Sequence, residues 1–168
     1  MVITNSSHDD LDMILRLYDS ARTLMRSKGQ VTWPLFDQEM ITREIDQGHQ
    51  WKLMVEDEIA CIWATTFSDP LIWGDKPEPS LYIHRLTTAA AHRGKGHSHK
   101  AIQWARVHAK EKGKTYVRLD TVGHNEGLIK HYVSLGFVFL GMYELPQAEG
   151  LPAHYQEDAV ARFEMQVG

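Results

Sequence analysis

The stretch Leu81-Tyr82-Ile83-His84-Arg85-Leu86-Thr87, followed by Arg93-Gly94-Lys95-Gly96-His97-Ser98, decides the fold of this chain. The first run predicts a β-strand that continues to Thr88, because β-branched and aromatic residues recur in it. The second run opens a predicted helix, Gly96 to Lys112, and its glycines allow a tight turn at the helix start. Unpaired N–H groups and the helix dipole favour a phosphate or pyrophosphate there. Three basic side chains add positive charge: Arg93, Lys95 and Lys100.

The segments on either side predict one α/β domain over residues 1–168. Upstream we expect a strand at 2–4, helices from Leu11 to near Gly29 and over 37–47, and a hairpin of strands at 51–56 and 59–67. Prolines and a glycine predict a loop over 68–80. Downstream we expect a strand at 116–122, a helix at 125–135, and strands at 137–144 and 159–167. The element order is βααβββαβαββ, with a parallel pairing after residue 81 and antiparallel strands on both sides.

Composition narrows the class of protein. The net charge is −4, so the basic turn is a local feature, and a general binder of nucleic acid or of anionic membranes is disfavoured. The single cysteine, Cys61, excludes an intramolecular disulfide, and its apolar strand favours a core position over a nucleophile. The first residues lack a basic segment followed by an apolar run, and we expect a cytoplasmic protein.

Two common phosphate motifs do not fit the glycine turn. A dinucleotide fingerprint requires a third glycine where this chain has His99. A P-loop requires Gly-Lys-Ser/Thr after a four-residue spacer, and that pattern is absent. Taken alone, the turn would favour a basic surface loop at a helix start. The residues downstream change that weighting.

Two motifs together carry a resemblance to a known family. Arg93-Gly94-Lys95-Gly96-His97-Ser98 is similar to the Arg/Gln-x-x-Gly-x-Gly/Ala acyl-CoA signature of the GNAT superfamily of N-acetyltransferases. Asn125-x-x-Leu128-x-x-x-Tyr132-x-x-x-Gly136-Phe137 resembles its second signature, Asn-x-x-Ala-x-x-x-Tyr-x-x-x-Gly-Phe. The departures are Ser98, which is still small, and Leu128, which could reshape the wall near the pantetheine arm. The element order also resembles that of the family.

The resemblance implies a GNAT-like mixed sheet with helices on both faces and splayed parallel central strands. It implies transfer of an acetyl group from acetyl-CoA to a primary amine, by direct attack in a ternary complex and without a metal. Backbone N–H groups of residues 94–98 would hold the pyrophosphate, and the strand end would face the pantetheine and polarise the thioester. The implied donor-binding residues are Leu86, Thr87, Arg93, Gly94, Lys95, Gly96, His97, Ser98 and Asn125.

Tyr132 is the predicted general acid. Its phenol would protonate the departing thiolate, which requires a donor close to the sulfur. Taken alone, the tyrosine belongs to an apolar helix stripe that is typical of packing against a core. The resemblance favours the catalytic role.

His84 is the predicted base, because an attacking amine must lose a proton and histidine accepts one near neutral pH. It lies nine residues before Arg93, a placement similar to that of a histidine proposed as base in the arylalkylamine branch of the family. Strand periodicity predicts that Tyr82, His84, Leu86 and Thr88 share one face. Two alternatives stay open: His84 is a hydrogen-bonded structural residue, or Asp120 orients a water that acts as the base.

Other residues have weaker predictions. His97 and His99 would point to different helix faces, so no metal site is predicted, and these residues, with His92 and His124, are expected to face solvent or to support the site. Aromatic residues in loops or at element edges could line the acceptor site, although loop anchoring is slightly favoured: Trp33, Phe36, Trp73 and Tyr155. The loop from Leu145 to Asp158, with Gln147, Glu149, His154 and Glu157, could select a cationic amine.

Several alternatives at the level of function stay open. A longer acyl group could be transferred, or the acceptor could be a hydroxyl. A non-catalytic acyl-CoA sensor could keep the turn, although Tyr132 and Asn125 favour catalysis, and a nucleotide-binding domain would bind ATP or NAD instead. The acceptor is expected to be a small-molecule amine or a peptide. The last strand could form the edge of a homodimer.

Overall fold

The computed structural model describes residues 1–145 and 159–168. Its strands are β1 (Val2–Asn5), β2 (Gln50–Val55), β3 (Glu58–Thr66), β4 (Ser80–Thr88), β5 (Tyr116–Val122), β6 (Val138–Tyr143) and β7 (Val160–Gln166). Its α-helices are α1 (Leu11–Ser27), α2 (Gln38–Asp46), α3 (Pro70–Trp73), α4 (His97–Glu111) and α5 (Glu126–Ser134). Each predicted strand and helix is present close to its predicted bounds. Only α3 was not predicted.

The seven strands of the described residues form one mixed sheet in the order β1-β2-β3-β4-β5-β7-β6. The pair β4–β5 is parallel, as predicted, and the other neighbouring pairs are antiparallel. The prediction that the last strand forms an edge is wrong, because β7 lies between β5 and β6. The edge on that side of the sheet is β6, where Val138 and Leu140 are exposed. Dimerisation itself stays a prediction.

Helices cover both faces of the sheet, because alternate residues along each strand point to opposite sides. On one face, α1 and α2 share a core cluster with β3 that includes Ile14, Ile41 and Ile62. On the other face, α4 and α5 share the larger cluster with residues such as Leu81 and Phe163. No helix in the described ranges has the length and apolar composition of a membrane span.

The two parallel strands separate along their length. β4 pairs with β5 only through Ser80–Tyr82, opposite Tyr116–Arg118. Beyond that point β4 continues beside β3, and β5 continues beside β7 as far as Val122. Backbone groups on the facing edges of β4 and β5 therefore have no ladder partner across the gap, and they are open to a ligand. The splay that the resemblance implied is present in the middle of the sheet.

A β-bulge lies in β4 beside the gap. Ala64 of β3 pairs with His84 and Ile62 pairs with Thr87, so two residues of β4 oppose Trp63. The extra residue breaks the alternation of side chains. Leu86 packs with the core on the α4 side, together with Ile83, whereas Tyr82 packs on the opposite side with the α3 residues. The prediction that His84 and Leu86 share a face is therefore wrong.

The short helix α3 replaces part of the loop predicted at 68–80. Pro70 stands at its first position, where a missing N–H has no cost. Trp73 is buried, and the guanidinium carbons of Arg118 and Arg162 lie 5.2 and 5.3 Å from its ring centroid. This packing fixes α3 against the sheet and brings Asp69 to the gap.

Candidate active site

The gap between β4 and β5 opens into a groove of about 1130 Å³. One wall comes from the end of α1 and the segment that leads to α2, and another from the end of β5 and the start of α5. Side chains or backbone of His84, Leu86, Thr87, Arg93, Asn125 and Tyr132 line it, so six of the predicted site residues meet in one place. The chain segments that supply them are far apart in sequence. The predicted residues of the glycine turn lie beside the groove, at the start of α4.

The glycine turn has the backbone that its sequence predicts. Gly94 and Gly96 both have φ +75°, a left-handed conformation that favours glycine. No other group lies within 4 Å of the position where a Cβ at Gly96 would stand. Gly96 is the N-cap of α4, so the first N–H groups of this helix have no acceptor within it. The turn therefore presents an open, electropositive backbone surface, with the exposed Arg93 and Lys95 beside it.

His97 does not face solvent, so of the two expected placements, facing solvent or supporting the site, the second one holds. Its ring is only 5% exposed, and neither ring nitrogen has a hydrogen-bond partner in the described residues. It lies 5.5 Å from the ring of His92, which is also buried and contacts Glu58 at 2.8 Å. Burial, followed by the charge of Lys100, lowers the pKa of His97. These two buried rings pack beneath the surface of the turn. Because the ring of His97 is buried, only its backbone N–H can contact a ligand. Of the four histidines expected to face solvent or support the site, His99 and His124 are the exposed ones.

Asn125 is both a groove residue and a helix cap. Its side-chain oxygen accepts a hydrogen bond of 3.0 Å from the backbone N–H of Leu128, which satisfies one donor at the start of α5. The two hydrogens on its side-chain nitrogen remain for a ligand. Leu128, the larger residue at the position of the alanine, also lines the groove. The start of α5 thus faces the same space as the start of α4.

Tyr132 lies on the wall of the groove at the second turn of α5. Its ring packs against Phe137 and Phe163, with centroids 5.9 and 5.2 Å away. Tyr132 therefore packs against the core with its ring and also lines the groove. The hydroxyl makes no hydrogen bond to any of the described residues. Burial, followed by the charges of Cys61 and Asp120, raises the pKa of the phenol well above its usual range, so the group carries its proton at neutral pH.

The hydrogen bonds of His84 determine which ring nitrogen can accept a proton. Its Nε2 lies 2.8 Å from Oγ1 of Thr66, and that hydroxyl donates to the carbonyl of Ser68 at 3.1 Å. A threonine hydroxyl has one hydrogen. Because Ser68 takes it, Thr66 must accept the hydrogen of Nε2. We therefore assign the Nε2–H tautomer, in which Nδ1 carries the lone pair.

The electrostatic surroundings keep His84 neutral. Burial lowers its pKa to about 3, and the charges of Arg85 and His49 act in the same direction. The imidazole is therefore uncharged at neutral pH, as a proton acceptor must be before reaction. The same surroundings disfavour a lasting imidazolium, so a proton taken here has to be passed on.

Three residues of the site were not predicted. Thr66 is the last residue of β3, and Asp69 lies in the turn after it. No sequence pattern in this region predicted a ligand site. Burial raises the pKa of Asp69 to about 6, and the backbone of Ile72 and the charge of Arg162 act in the opposite direction. Arg85 lines the groove beside His84 because the bulge turns it there. A bulge has no reliable signal in a single sequence.

The remaining predicted residues fall into three groups. Trp33 and Phe36 line the groove, while Trp73 anchors α3 and Cys61 is fully buried in the core. Asp120 lines the groove and interacts with other groups of the protein. Tyr155 and the predicted amine-selecting residues at 147–158 lie outside the described residues. Within residues 1–145 and 159–168, no three potential ligands among His, Cys, Asp and Glu cluster to hold a metal ion.

Comparisons with known proteins identify the family. A profile of the acetyltransferase (GNAT) family matches residues 14–137. The uncharacterized N-acetyltransferase YesJ of Bacillus subtilis (strain 168) is 29% identical over 143 residues, which cover 80% of this chain and 79% of that protein.

Solved structures share the fold at lower identity. An acetyltransferase of the GNAT family from Listeria monocytogenes 4b F2365 has a TM-score of 0.77 at 21% identity, covering 98% of this chain and 94% of that one. The structure of yncA from Salmonella typhimurium with its cofactor acetyl-CoA has a TM-score of 0.71 at 14% identity, covering 100% of this chain and 94% of that one. The splayed sheet, the two motifs on one groove and the family match agree: this chain belongs to the GNAT family of acetyltransferases.

Proposed function

We propose that the protein transfers an acetyl group from acetyl-CoA to a primary amine, by direct attack within a ternary complex. One observation carries this proposal above the others. The gap beyond Tyr82 and Arg118 opens into a groove lined by Tyr132 and His84, and the glycine turn lies beside it. In this proposal they supply a proton donor, a proton acceptor and a phosphate site around one space.

The donor would lie with its pyrophosphate on the N–H groups at the start of α4, where Arg93 and Lys95 add charge. The left-handed glycines keep the backbone bare at this point, so a phosphate can approach closely. The pantetheine arm would follow β4 along Leu86 and Thr87, where strand hydrogen bonds to β5 are absent. The side-chain nitrogen of Asn125 would donate to it from the opposite wall. A backbone N–H of β4 in the gap would polarise the thioester carbonyl.

Two proton transfers complete the chemistry. The amine nitrogen forms a bond to the carbonyl carbon and releases a proton to Nδ1 of His84. The bond between that carbon and the sulfur breaks, and the thiolate takes a proton from Tyr132. The raised pKa of the phenol keeps the acid loaded at neutral pH, and the lowered pKa of the imidazole keeps the acceptor empty. Exchange with solvent in the groove then removes the proton from His84 and returns one to Tyr132, so both groups regain their starting protonation states.

Release of free CoA from acetyl-CoA in the presence of a panel of primary amines tests the proposal. We expect release that depends on the amine, together with an acetylated product in the mass spectrum. Tight CoA binding without release for any amine would instead indicate an acyl-CoA sensor. Displacement of CoA by ATP or NAD in a thermal-shift titration would indicate a nucleotide-binding protein. A faster reaction with longer acyl-CoA donors would indicate that a longer acyl group is transferred. A faster reaction with alcohols would indicate a hydroxyl acceptor.

A further inference from the structure

Arg85 has a backbone conformation that demands an explanation. Its φ is +53°, and the only other non-glycine residue with positive φ in the described ranges is Glu56 in the β2–β3 turn. For an arginine within a strand this conformation is unfavourable, and it persists only where the surroundings impose it. Its effect is to send two consecutive side chains, His84 and Arg85, to the same groove.

The hydrogen bonds of Arg85 leave one nitrogen unused. Nη2 donates to both carboxylate oxygens of Glu44, at 2.6 and 2.5 Å, and Nε donates to the hydroxyl of Tyr18 at 3.4 Å. A guanidinium has five N–H donors, and the two on Nη1 have no partner among the described residues. Nη1 also keeps solvent-accessible surface. The side chain is 16% exposed, and it lines the groove.

The pair with Glu44 does not explain this arrangement by itself. A buried ion pair is weak evidence for stability, because desolvation offsets much of the attraction. Glu44 comes from α2 behind the guanidinium and does not line the groove. A ligand in the groove therefore meets the cation and not the carboxylate. Phe36, whose ring centroid is 5.1 Å from the guanidinium carbon, holds the group from the side.

We propose that Nη1 of Arg85 binds an anionic group of the acceptor, so that the acceptor is a primary amine carrying a carboxylate or another oxyanion near its amino group. This inference rests on the proposed acetyl transfer. His84 and Arg85 are consecutive residues that line the same groove, so we expect one small acceptor molecule to carry both the amine and the anion. An α-amino acid or an N-terminal analogue with a nearby oxyanion meets this requirement. Trp33 and Phe36 would contact the apolar part of the acceptor.

Charges elsewhere in the groove fit a zwitterionic acceptor. Asp69 and Asp120 line the groove, where Arg162 attracts both carboxylates, and the excess of carboxylate over guanidinium at this end favours an ammonium group. Arg85 supplies positive charge for the acid group. A simple cationic amine would gain from the carboxylates but would leave the guanidinium without a partner for Nη1.

Matched substrates test the inference without any variant. Each pair consists of an α-amino acid and its amide, for example leucine with leucinamide and phenylalanine with phenylalaninamide, and rates are compared per unprotonated amine, because the amide has the lower amine pKa. In the wild-type protein we expect kcat/KM for acetyl transfer to be about tenfold or more higher for the acid, the effect of one hydrogen bond to a charged group. Equal transfer to acid and amide, or preference for the amide, would overturn the inference.

Two variants assign the preference to Arg85. Arg85→Gly keeps the left-handed backbone, and combining it with Glu44→Gln removes both partners of the ion pair, so no buried carboxylate is left unpaired. The double variant should lose most of the acid-over-amide ratio. Glu44→Gln alone keeps the guanidinium and should keep the ratio, whereas loss in both variants would indicate a merely structural pair and overturn the inference.

Binding measurements separate this inference from the proposed function. Calorimetric titration of the same pairs into the CoA-loaded protein reports on Arg85 even if no transfer occurs. Binding of the acids that is lost in the double variant supports the anion site, and absence of transfer with such binding would remove only the acetyltransferase proposal. Equal affinity for acid and amide would overturn the anion site.

Discussion

The two halves of the groove are built differently. The proposed donor half consists of backbone at the starts of α4 and α5, with Tyr132 one turn further on. Its residues fall into two short segments, each described by one motif. The acceptor half consists of side chains from β3, β4 and the α1–α2 connection, which a bulge and a short helix bring together. A phosphate can be recognised by local backbone, whereas a particular acceptor requires tertiary placement of single side chains.

The largest effect is expected in the donor half, for Tyr132→Phe. The ring packing against Phe137 and Phe163 is kept and only the proton donor is lost. Turnover should fall by about 10²-fold or more, as for removal of a general acid, with little change in the affinity for CoA. Steady-state kinetics and calorimetry with CoA measure the two quantities. An unchanged turnover would remove the acid role and leave Tyr132 as a packing residue.

In the proposed acceptor half, activity should depend on Thr66, which hydrogen-bonds the proposed base His84. Thr66→Val keeps the shape of the side chain but removes the group that fixes the Nε2–H tautomer of His84. A loss of roughly tenfold in kcat is expected for one hydrogen bond of about 1.4 kcal/mol, and Thr66→Ser should restore most of it. Nitrogen-15 NMR of the histidine rings should show Nδ1 of His84 without hydrogen in the wild type and a mixture in Thr66→Val. A wild-type Nδ1–H signal would contradict the assignment.

The backbone of the donor half can be tested with a matched pair of glycines on one helix. Gly96 and Gly113 flank α4 with φ +75° and +67°, and neither has a neighbour within 4 Å of a built Cβ. Alanine at either position should cost about 1 kcal/mol of unfolding free energy through backbone strain. Only Gly96→Ala should also weaken CoA binding, by several-fold. Equal CoA affinity in the two variants would indicate that the helix start does not hold the donor.

The smallest effect concerns Asp69 and pH. Its pKa is about 6 in the folded protein and near 3.8 when unfolded, so the folded state binds the proton more tightly. Its contribution to stability is therefore fully present below about pH 4 and is lost as the pH rises through 6. Asp69→Asn should raise the unfolding free energy by about 1–3 kcal/mol at pH 7.5 and by little at pH 4. Urea unfolding at both pH values measures it, and a gain confined to low pH would refute the burial argument.

The local features of the groove could be predicted from the sequence, whereas those that depend on tertiary contacts could not. Regular elements, the parallel pairing and the turn at Gly94 and Gly96 follow from periodicity and local backbone preferences. The prediction that His84 and Leu86 share a face was wrong, because β4 contains a bulge opposite Trp63. The bulge arises from the pairing of β4 with β3, which the local sequence does not specify. Arg85, Thr66 and Asp69 were missed for a related reason. Thr66 and Arg85 take their roles from distant partners: His84 lies 18 residues from Thr66, and Glu44 lies 41 residues from Arg85. The charge that acts on Asp69 comes from Arg162 on β7.

A crystal structure with CoA tests the central claim most directly. We expect the pyrophosphate on the N–H groups at the start of α4, and the pantetheine arm in the gap between β4 and β5. The sulfur should lie within hydrogen-bonding distance of the Tyr132 hydroxyl. CoA bound outside the gap, or a sulfur far from Tyr132 with the pyrophosphate in place, would contradict it.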